Sequence, residues 1–206
     1  MIETFRRGGP VMWPLLVTSV VALTVALERL IFIFRERLKR RPEMVDEILV
    51  CVERGDLESA ARAGEQSEDF VCRTLVYALR HGEESLSNAI LRASNQELRR
   101  FNRGLAVLDT IITLAPLLGL LGTVTGMIRA FGLIGADELG TPVAITGGIA
   151  EALLATAFGL SIAIVALIPF NYLNSRVEQA RHDLEDCSSQ LELLLRKSNE
   201  NSLAKI

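Results

Sequence analysis

Apolar residues in this chain gather into three long blocks, which are separated by highly charged stretches. The blocks cover residues 11–34, 105–134 and 143–173. A helix that crosses the hydrocarbon core of a bilayer needs about 20 predominantly apolar residues. Each block reaches that length, the first one only when Glu28 and Arg29 lie near an interface where long side chains reach water. The pattern therefore predicts three transmembrane helices.

The stretches outside the blocks also show helical spacing. Apolar residues recur at helical intervals in residues 35–104, which we interpret as a helical insert, and in residues 174–206, a helical tail. No segment of the sequence shows strand-like alternation. Residues 135–142 form a short polar turn, so the second and third blocks are predicted to be antiparallel neighbours. The predicted fold class is therefore all-α.

Turn and capping residues divide the insert into several helices. Gly55 ends one helix, and Asp56 is the predicted N-cap of the next, residues 57–63, which Gly64 follows. A last helix begins near Ser85, and the sequence leaves open whether it continues unbroken into the second block. The insert is thus predicted to be helical.

The tail carries apolar residues at alternating spacings of three and four, which is typical of a heptad repeat. Two interpretations remain open, because about two and a half repeats are too few to decide between them. The tail is either an amphipathic helix that lies on its own insert, or a helix that associates between subunits around an axis. The residues of the repeat are Val177, Ala180, Leu184, Cys187, Leu191 and Leu194.

Basic residues flank the blocks unevenly, and this bias predicts the orientation in a membrane. The segments after the first block, before the second and after the third are basic, whereas the turn at 135–142 has no basic residue. These three ends are therefore predicted to be cytoplasmic, with long helices extending into the cytoplasm, and residues 1–10 to lie outside. Arg6 and Arg7 oppose this assignment, but they are outnumbered by Arg35, Arg37, Lys39, Arg40, Arg41, Arg99, Arg100, Arg103, Arg176 and Arg181.

Composition and motifs disfavour several classes of function. The formal net charge is −3, so bulk nucleic-acid binding is not expected. The sequence has no P-loop and no G-x-S-x-G motif, and its three cysteines and two histidines lack metal-ligand spacing. We therefore expect no enzymatic activity, no bound metal and no cofactor. Any energy that the protein uses must come from an ion gradient or from another subunit.

Three polar residues inside the second and third blocks are the candidates for an ion pathway. Glu151 lies about two turns inside the third block, where an ionisable group costs about 2–3 kcal/mol and is expected to face water or protein. Thr156 and Thr123 share faces with small residues, and their hydroxyls could line a common polar track. A hydroxyl cannot take up a proton at accessible pH, so the titrating carboxylate is either Glu151 or a group of a partner chain.

Small residues form one smooth face on each of these two blocks. Close helix packing in a membrane explains such faces by itself, and pore lining is the alternative. The residues expected to pack around a pore are Gly119, Gly122, Gly126, Gly148, Ala152 and Gly159.

Two stretches of these blocks resemble the MotA/TolQ/ExbB proton-channel family, and in particular its ExbB/TolQ branch. They are LAPLLGLLGTV, residues 114–124, with Gly126 and Met127, and GIAEALLATAFGL, residues 148–160. Shorter supporting matches extend the resemblance along nearly the whole chain in the right order. Thr125 departs from the pattern, since ExbB and TolQ members often have Trp at that position.

The resemblance implies a topology, partners and functional residues. Family members of this branch are multi-pass proteins of the bacterial inner membrane, with a periplasmic N-terminus and a cytoplasmic C-terminus, and they form homopentamers around an axial pore. Two copies of a single-span ExbD-like or TolR-like partner lie in the pore and carry an intramembrane Asp. The pore threonines of the family correspond to Thr123 and Thr156, and its intramembrane glutamate corresponds to Glu151. A TonB-like or TolA-like protein is a further candidate partner.

The function implied by the resemblance is that of a channel subunit in an ion-driven motor. Such a motor converts the proton motive force into mechanical work on the cell envelope, for example to energise TonB-dependent import. Protons are the expected ion, and sodium is the alternative because hydroxyl and carboxylate oxygens suit both. Two other functions remain open: a Tol-Pal-type constriction motor, and a passive scaffold in which Glu151 and the threonines only hold helices together. A solute transporter is disfavoured, since the three blocks show no inverted repeat.

Overall fold

The computed structural model describes residues 8–82, 85–132 and 142–203, with side chains described for 146–197 of the last range. These residues are almost entirely helical and include no strand, so the predicted all-α fold class is confirmed. The described helices are α1 (Met12–Lys39), α2 (Pro42–Glu53), α3 (Leu57–Glu65), α4 (Phe70–His81), α5 (Leu86–Asn102), α6 (Leu105–Gly132) and α7 (Pro142–Leu203).

The chain divides into two compact units. The first unit consists of residues 1–30 and 104–172, and the second consists of residues 31–103 and 173–206. Helices α1 and α7 therefore contribute residues to both units. The predicted polar turn lies outside the described residues except for its last position, Pro142, as do Arg6 and Arg7.

The first unit holds the most apolar parts of α1, α6 and α7. Among the described residues, three helical segments are long and apolar enough to cross a membrane, namely Met12–Lys39, Leu86–Gly132 and Thr146–Lys197. Large apolar side chains on these segments point outward, including Trp13 with 65% and Val165 with 67% of the side chain exposed. Such surfaces are expected where lipid or another subunit covers the protein. The prediction of three membrane-spanning helices is confirmed.

The second unit is built on a core of aliphatic side chains from the insert. Ile48, Val71 and Leu75 are fully buried, from helices α2 and α4. Helix α3 begins at a side-chain cap, because the Asp56 carboxylate accepts a hydrogen bond of 3.0 Å from the backbone N–H of Ser59. The predicted N-cap is thus confirmed, and the insert is helical as expected.

An ion-pair cluster centred on Arg40 joins three segments of the second unit. The guanidinium donates to the carboxylate of Asp69 at 2.9 and 3.0 Å and to that of Asp183, on α7, at 2.7 Å. Asp69 is fully buried and also caps α4 by accepting a 2.9 Å hydrogen bond from the N–H of Val71. The guanidinium lies 4.9 Å from the ring centre of Phe70. Each carboxylate therefore has a counter-charge, and one arginine connects the end of α1, the start of α4 and the tail.

The structure corrects one helix boundary and settles another. Helix α3 continues through Gly64, which the sequence analysis placed after the helix. A β-carbon at Gly64 would lie 2.9 Å from Cδ1 of Ile48, so this glycine permits close helix packing and does not end the helix. The last helix of the insert does not run on into the second block, because Gly104 has a φ of +82° and separates α5 from α6.

The tail buries the apolar face of its heptad repeat within the single chain. Val177 is 2% exposed, Leu184 is 1% exposed and Leu191 is fully buried. At the polar edge, Lys197 Nζ lies 3.4 Å from a carboxylate oxygen of Glu53 in α2. Of the two interpretations left open by the sequence, the amphipathic helix on its own insert is the one that the structure has.

Candidate functional site

Helices α6 and α7 cross through their small-residue faces, and almost no space separates the two backbones. A β-carbon added at Gly119 would lie 3.0 Å from Cα of Thr156, and one added at Gly126 would lie 3.0 Å from Cβ of Ala152. At Gly159 it would lie 2.5 Å from a backbone carbonyl oxygen of α6. The distance at Gly159 is shorter than real β-carbons show, so this position requires glycine, and at Gly119 and Gly126 a larger residue would fit only if its neighbour moved.

The order of the contacts fixes the relative direction of the two helices. Along α6 towards its C-terminus, Gly122 first contacts Ala155, and Ala130 then lies close to Gly148. Residue numbers therefore rise along α6 while they fall along α7. The two helices are antiparallel neighbours, as the short turn predicted, and the glycines and alanines chosen from the sequence lie at their contact.

The two threonines of the predicted polar track have different hydrogen bonds. The Thr156 hydroxyl donates across the crossing to the carbonyl oxygen of Gly119 at 2.9 Å. The Thr123 hydroxyl donates within its own helix to the carbonyl oxygen of Leu120 at 2.6 Å. Both side chains are partly exposed. Since each hydroxyl proton is already used, each oxygen presents lone pairs, which suit it to accept a hydrogen bond from an approaching O–H group.

Glu151 is held by an ion pair with an arginine of the neighbouring helix. Arg129 Nη1 lies 2.8 Å from Glu151 Oε1, and the side chains are 47% and 20% exposed, respectively. Glu151 has a further contact with the turn before α1, where the backbone of Gly9 lies directly against its carboxylate. Gly9 has a φ of +74°, in the left-handed region that favours glycine. The structure therefore places Glu151 at a junction of three segments, separate from Thr123 and Thr156 in its contacts.

Sequence analysis missed Arg129, although the sequence contains a signal for it. Arg129 lies three residues after Gly126, and Glu151 lies three residues after Gly148, so each extends the small-residue face of its helix by one turn. Arg129 precedes Ala130, which lies close to Gly148, and Glu151 precedes Ala152, which lies close to Gly126, so the two charged residues flank the same two contacts. The register of the glycines could have predicted the ion pair.

Charged residues are absent from the middle of both helices. In the sequence, no Asp, Glu, Lys, Arg or His occurs in residues 110–128 of α6 or in residues 152–175 of α7. The polar chemistry available there is that of hydroxyl groups and backbone carbonyls. This part of the chain can accept and donate hydrogen bonds, but it cannot take up a proton at accessible pH.

These features define an integral membrane protein whose polar groups lie within and between its spanning helices. The sequence pattern of the MotA/TolQ/ExbB proton channel family matches residues 62–186, which is more than half of the chain. The chain belongs to this family, and its relatives place it in the ExbB branch.

Relatives named ExbB match over most of the chain. The ExbB-like 1 protein of Synechocystis sp. is 38% identical over 204 residues, which are 96% of this chain and 80% of that protein. An ExbB homolog of Methanothermobacter thermautotrophicus is 29% identical over 188 residues, 90% of this chain and 67% of that protein. The biopolymer transport protein ExbB of Neisseria gonorrhoeae is 38% identical over 112 residues, 54% of this chain and 51% of that protein.

Proposed function

We propose that this chain is the channel subunit of a proton-driven motor in a bacterial inner membrane, with its N-terminus outside and its C-terminus in the cytoplasm. In this proposal the chain forms a homopentamer around two copies of a single-span, ExbD-like or TolR-like partner that carries an intramembrane Asp. The motor energises transport across the cell envelope, in line with the name of the Neisseria relative, and a TonB-like protein receives the work.

The observation that carries the proposal is the chemistry of the α6–α7 crossing. Thr156 lies at the crossing with its proton engaged by Gly119, and no residue of this chain titrates in the middle of either helix. A motor driven by protons needs a group that changes charge inside the membrane. Because this chain offers hydroxyl oxygens there and no titrating side chain, the titrating carboxylate is assigned to the partner.

The proposed step depends on where the partner's carboxylate lies. Facing the Thr156 oxygen and water, a protonated carboxyl can donate a hydrogen bond or lose its proton, whereas against the apolar wall only the neutral form is favourable. A charge that moves down a membrane potential of 100 mV releases about 2.3 kcal/mol. Several such steps supply the free energy to move the partner within the ring of channel subunits.

A second candidate function, a passive scaffold, is favoured by a different observation. The Thr156–Gly119 hydrogen bond and the Arg129–Glu151 ion pair both join α6 to α7, as expected of groups that only hold helices together. In that case Thr156→Val and Glu151→Gln should harm assembly, and no ion flux should accompany the assembled protein.

The test is purification of the native complex in mild detergent, followed by mass spectrometry of the intact assembly and of what co-elutes. A ring of five copies with a small single-span protein that bears a membrane Asp would support the motor and identify its branch. The purified complex is then reconstituted in vesicles with a pH gradient, and again with a sodium gradient, to identify the ion. An assembled ring that has no such partner and passes neither ion would contradict the motor and support the scaffold.

A further inference from the structure

We infer that Arg129 is a positioning residue that holds Glu151 as a fixed, paired charge, so that Glu151 supports the ion pathway without carrying protons itself. This inference rests on the proposed channel function and adds a residue to it. Sequence analysis left two sources for the titrating carboxylate, Glu151 and a partner chain, and the contacts around Glu151 bear directly on that choice.

The first argument is the geometry of the pair. Arg129 Nη1 and Glu151 Oε1 are 2.8 Å apart, which is the length of a charge-assisted hydrogen bond. The pair lies beside the contacts that Gly126 makes with Ala152 and that Gly148 makes with Ala130. Close packing of α6 against α7 at these residues therefore holds the guanidinium next to Glu151.

The second argument is the packing of Gly9. A β-carbon at this residue would overlap Oε1 of Glu151, so the N-terminal turn covers the carboxylate from a third side. Gly8, one residue earlier, lies against the flexible side chain of Met12 instead. The carboxylate is thus confined between Arg129 and the Gly9 backbone, and only 20% of the Glu151 side chain is exposed.

Loss of the negative charge on Glu151 would also affect Arg129. A proton taken up by Glu151 would leave the Arg129 guanidinium without its counter-charge within a membrane-spanning segment, and removing one partner of a partly buried pair is costly. A carrier must gain and lose its proton in every cycle. A carboxylate held by an arginine and packed against backbone is better suited to shaping the entrance of the pathway, while the partner's carboxylate exchanges the proton.

The test measures proton flux per assembled complex in vesicles containing the full complex, together with the amount and thermal stability of that complex. The variants are Arg129→Gln, Arg129→Lys, Glu151→Gln and the double variant Arg129→Gln/Glu151→Gln. We expect each Gln variant to lower flux at least about tenfold, with the double variant within about twofold of either, because the two residues act as one unit. Arg129→Lys keeps the charge and should retain flux within about threefold of the wild type.

Gly9→Ala and Gly8→Ala are a matched pair of substitutions that change no charge. Only Gly9→Ala is expected to move the Glu151 carboxylate. Gly9→Ala displaces the Glu151 carboxylate and strains a turn whose φ is +74°, so flux per assembled complex is the quantity compared, and it is expected to fall about tenfold. Gly8→Ala meets the side chain of Met12 instead of Glu151 and should keep flux per complex within about twofold. Loss of flux in Glu151→Gln with normal flux in Arg129→Gln would overturn the inference, because it would make Glu151 a carrier on its own.

Two further outcomes separate this inference from the proposed function. Equal loss of assembly in both Gln variants, with unchanged flux per remaining complex, would make the pair purely structural and would also overturn the inference. A wild-type complex that passes no protons would contradict the channel function itself. If instead Thr156→Val loses flux while Arg129→Gln keeps it, the channel function stands and the inference about Arg129 fails.

Discussion

Replacing Thr156 by valine removes one hydroxyl from the α6–α7 crossing and leaves the shape of the side chain almost unchanged. The bond that is lost is the 2.9 Å hydrogen bond to the Gly119 carbonyl. Interhelical hydrogen bonds of this kind in membranes contribute about 0.6 kcal/mol on average and about 1.7 kcal/mol at most. The Gly119 oxygen can still accept from its own helix backbone, which keeps the cost near the lower figure.

That cost is small beside the packing that holds the crossing together. Gly119, Gly126 and Gly159 bring the backbones into contact over about three helical turns, and Thr156→Val changes no backbone atom in these contacts. We therefore expect the Thr156→Val complex to assemble in wild-type amounts, with its melting temperature lowered by only a few degrees. Proton flux per complex should fall at least about tenfold, because the lone pairs that receive the partner's carboxyl are gone.

The assay is proton uptake by vesicles that contain the reconstituted complex, scaled to the amount of complex in each preparation. Thr156→Ser restores the hydroxyl and should recover most of the flux. Thr125→Val is the matched control, since the Thr125 hydroxyl bonds to the Leu121 carbonyl of its own helix at 2.9 Å and its loss should leave flux unchanged. Full flux in Thr156→Val, or loss of the assembled complex in that variant, would refute the reasoning for this residue.

Three further predictions concern packing, thiol chemistry and the ion-pair cluster. Gly159→Leu should abolish assembly in membrane extracts, because even a β-carbon there would lie 2.5 Å from an α6 carbonyl oxygen; recovery of wild-type complex would contradict the close crossing. Burial raises the pKa of the Cys187 thiol to about 11 and also raises the pKa of Cys72, so maleimide should label both slowly at pH 8 in the folded protein and quickly after unfolding. Rapid labelling of Cys72 or Cys187 in the native protein would refute this, whereas labelling of the partly exposed Cys51 would not. Asp69→Ala removes the cap of α4 and one partner of Arg40, and unfolding in detergent should show a loss of about 2–3 kcal/mol; an unchanged melting temperature would contradict that role.

Helix number and direction were predictable from the sequence because they depend on bulk properties. An apolar block of 20 or more residues has few alternatives to a spanning helix. The helix cap at Asp56 was predictable because it depends on residues that are close in sequence. The Asp56 carboxylate accepts a hydrogen bond from the N–H of Ser59, three residues later. Each of these predictions uses residues that are neighbours in the sequence or an average over many of them.

Features that depend on distant partners could not be predicted in the same way. The sequence shows Gly64 as a helix end, because glycine often follows the last helical residue. Its role is instead to make room for Ile48 of another helix, which no local pattern records. The tail repeat was ambiguous for the same reason. An apolar face at heptad spacing is equally suited to its own insert and to a second subunit, and only the folded chain shows that Leu184 and Leu191 are covered.

The candidate functional site could be predicted in part. Thr123, Thr156 and Glu151 were selected because polar groups inside an apolar span are costly, and that criterion needs no structure. Their partners on the neighbouring helix were not predicted from the sequence: Thr156 donates a hydrogen bond to Gly119, and Glu151 forms an ion pair with Arg129. The sequence therefore identified the three residues. It did not show that Thr156 lies at the crossing as a hydrogen-bonding hydroxyl, whereas Glu151 forms an ion pair with Arg129 near the end of α6.

The tight crossing also bears on which part of the proposed motor moves. Packed helices move relative to one another by small shifts or by steps of a whole turn between discrete arrangements. At Gly119, Gly126 and Gly159 the contacts are made by backbone or by β-carbons, and at Gly159 a single added carbon would already be too close. Because these contacts are so close, we expect α6 and α7 to keep this crossing while the proposed motor works. In the proposed motor the change of charge is then expected in the partner, since the middle of α6 and α7 offers only hydroxyl groups and backbone carbonyls.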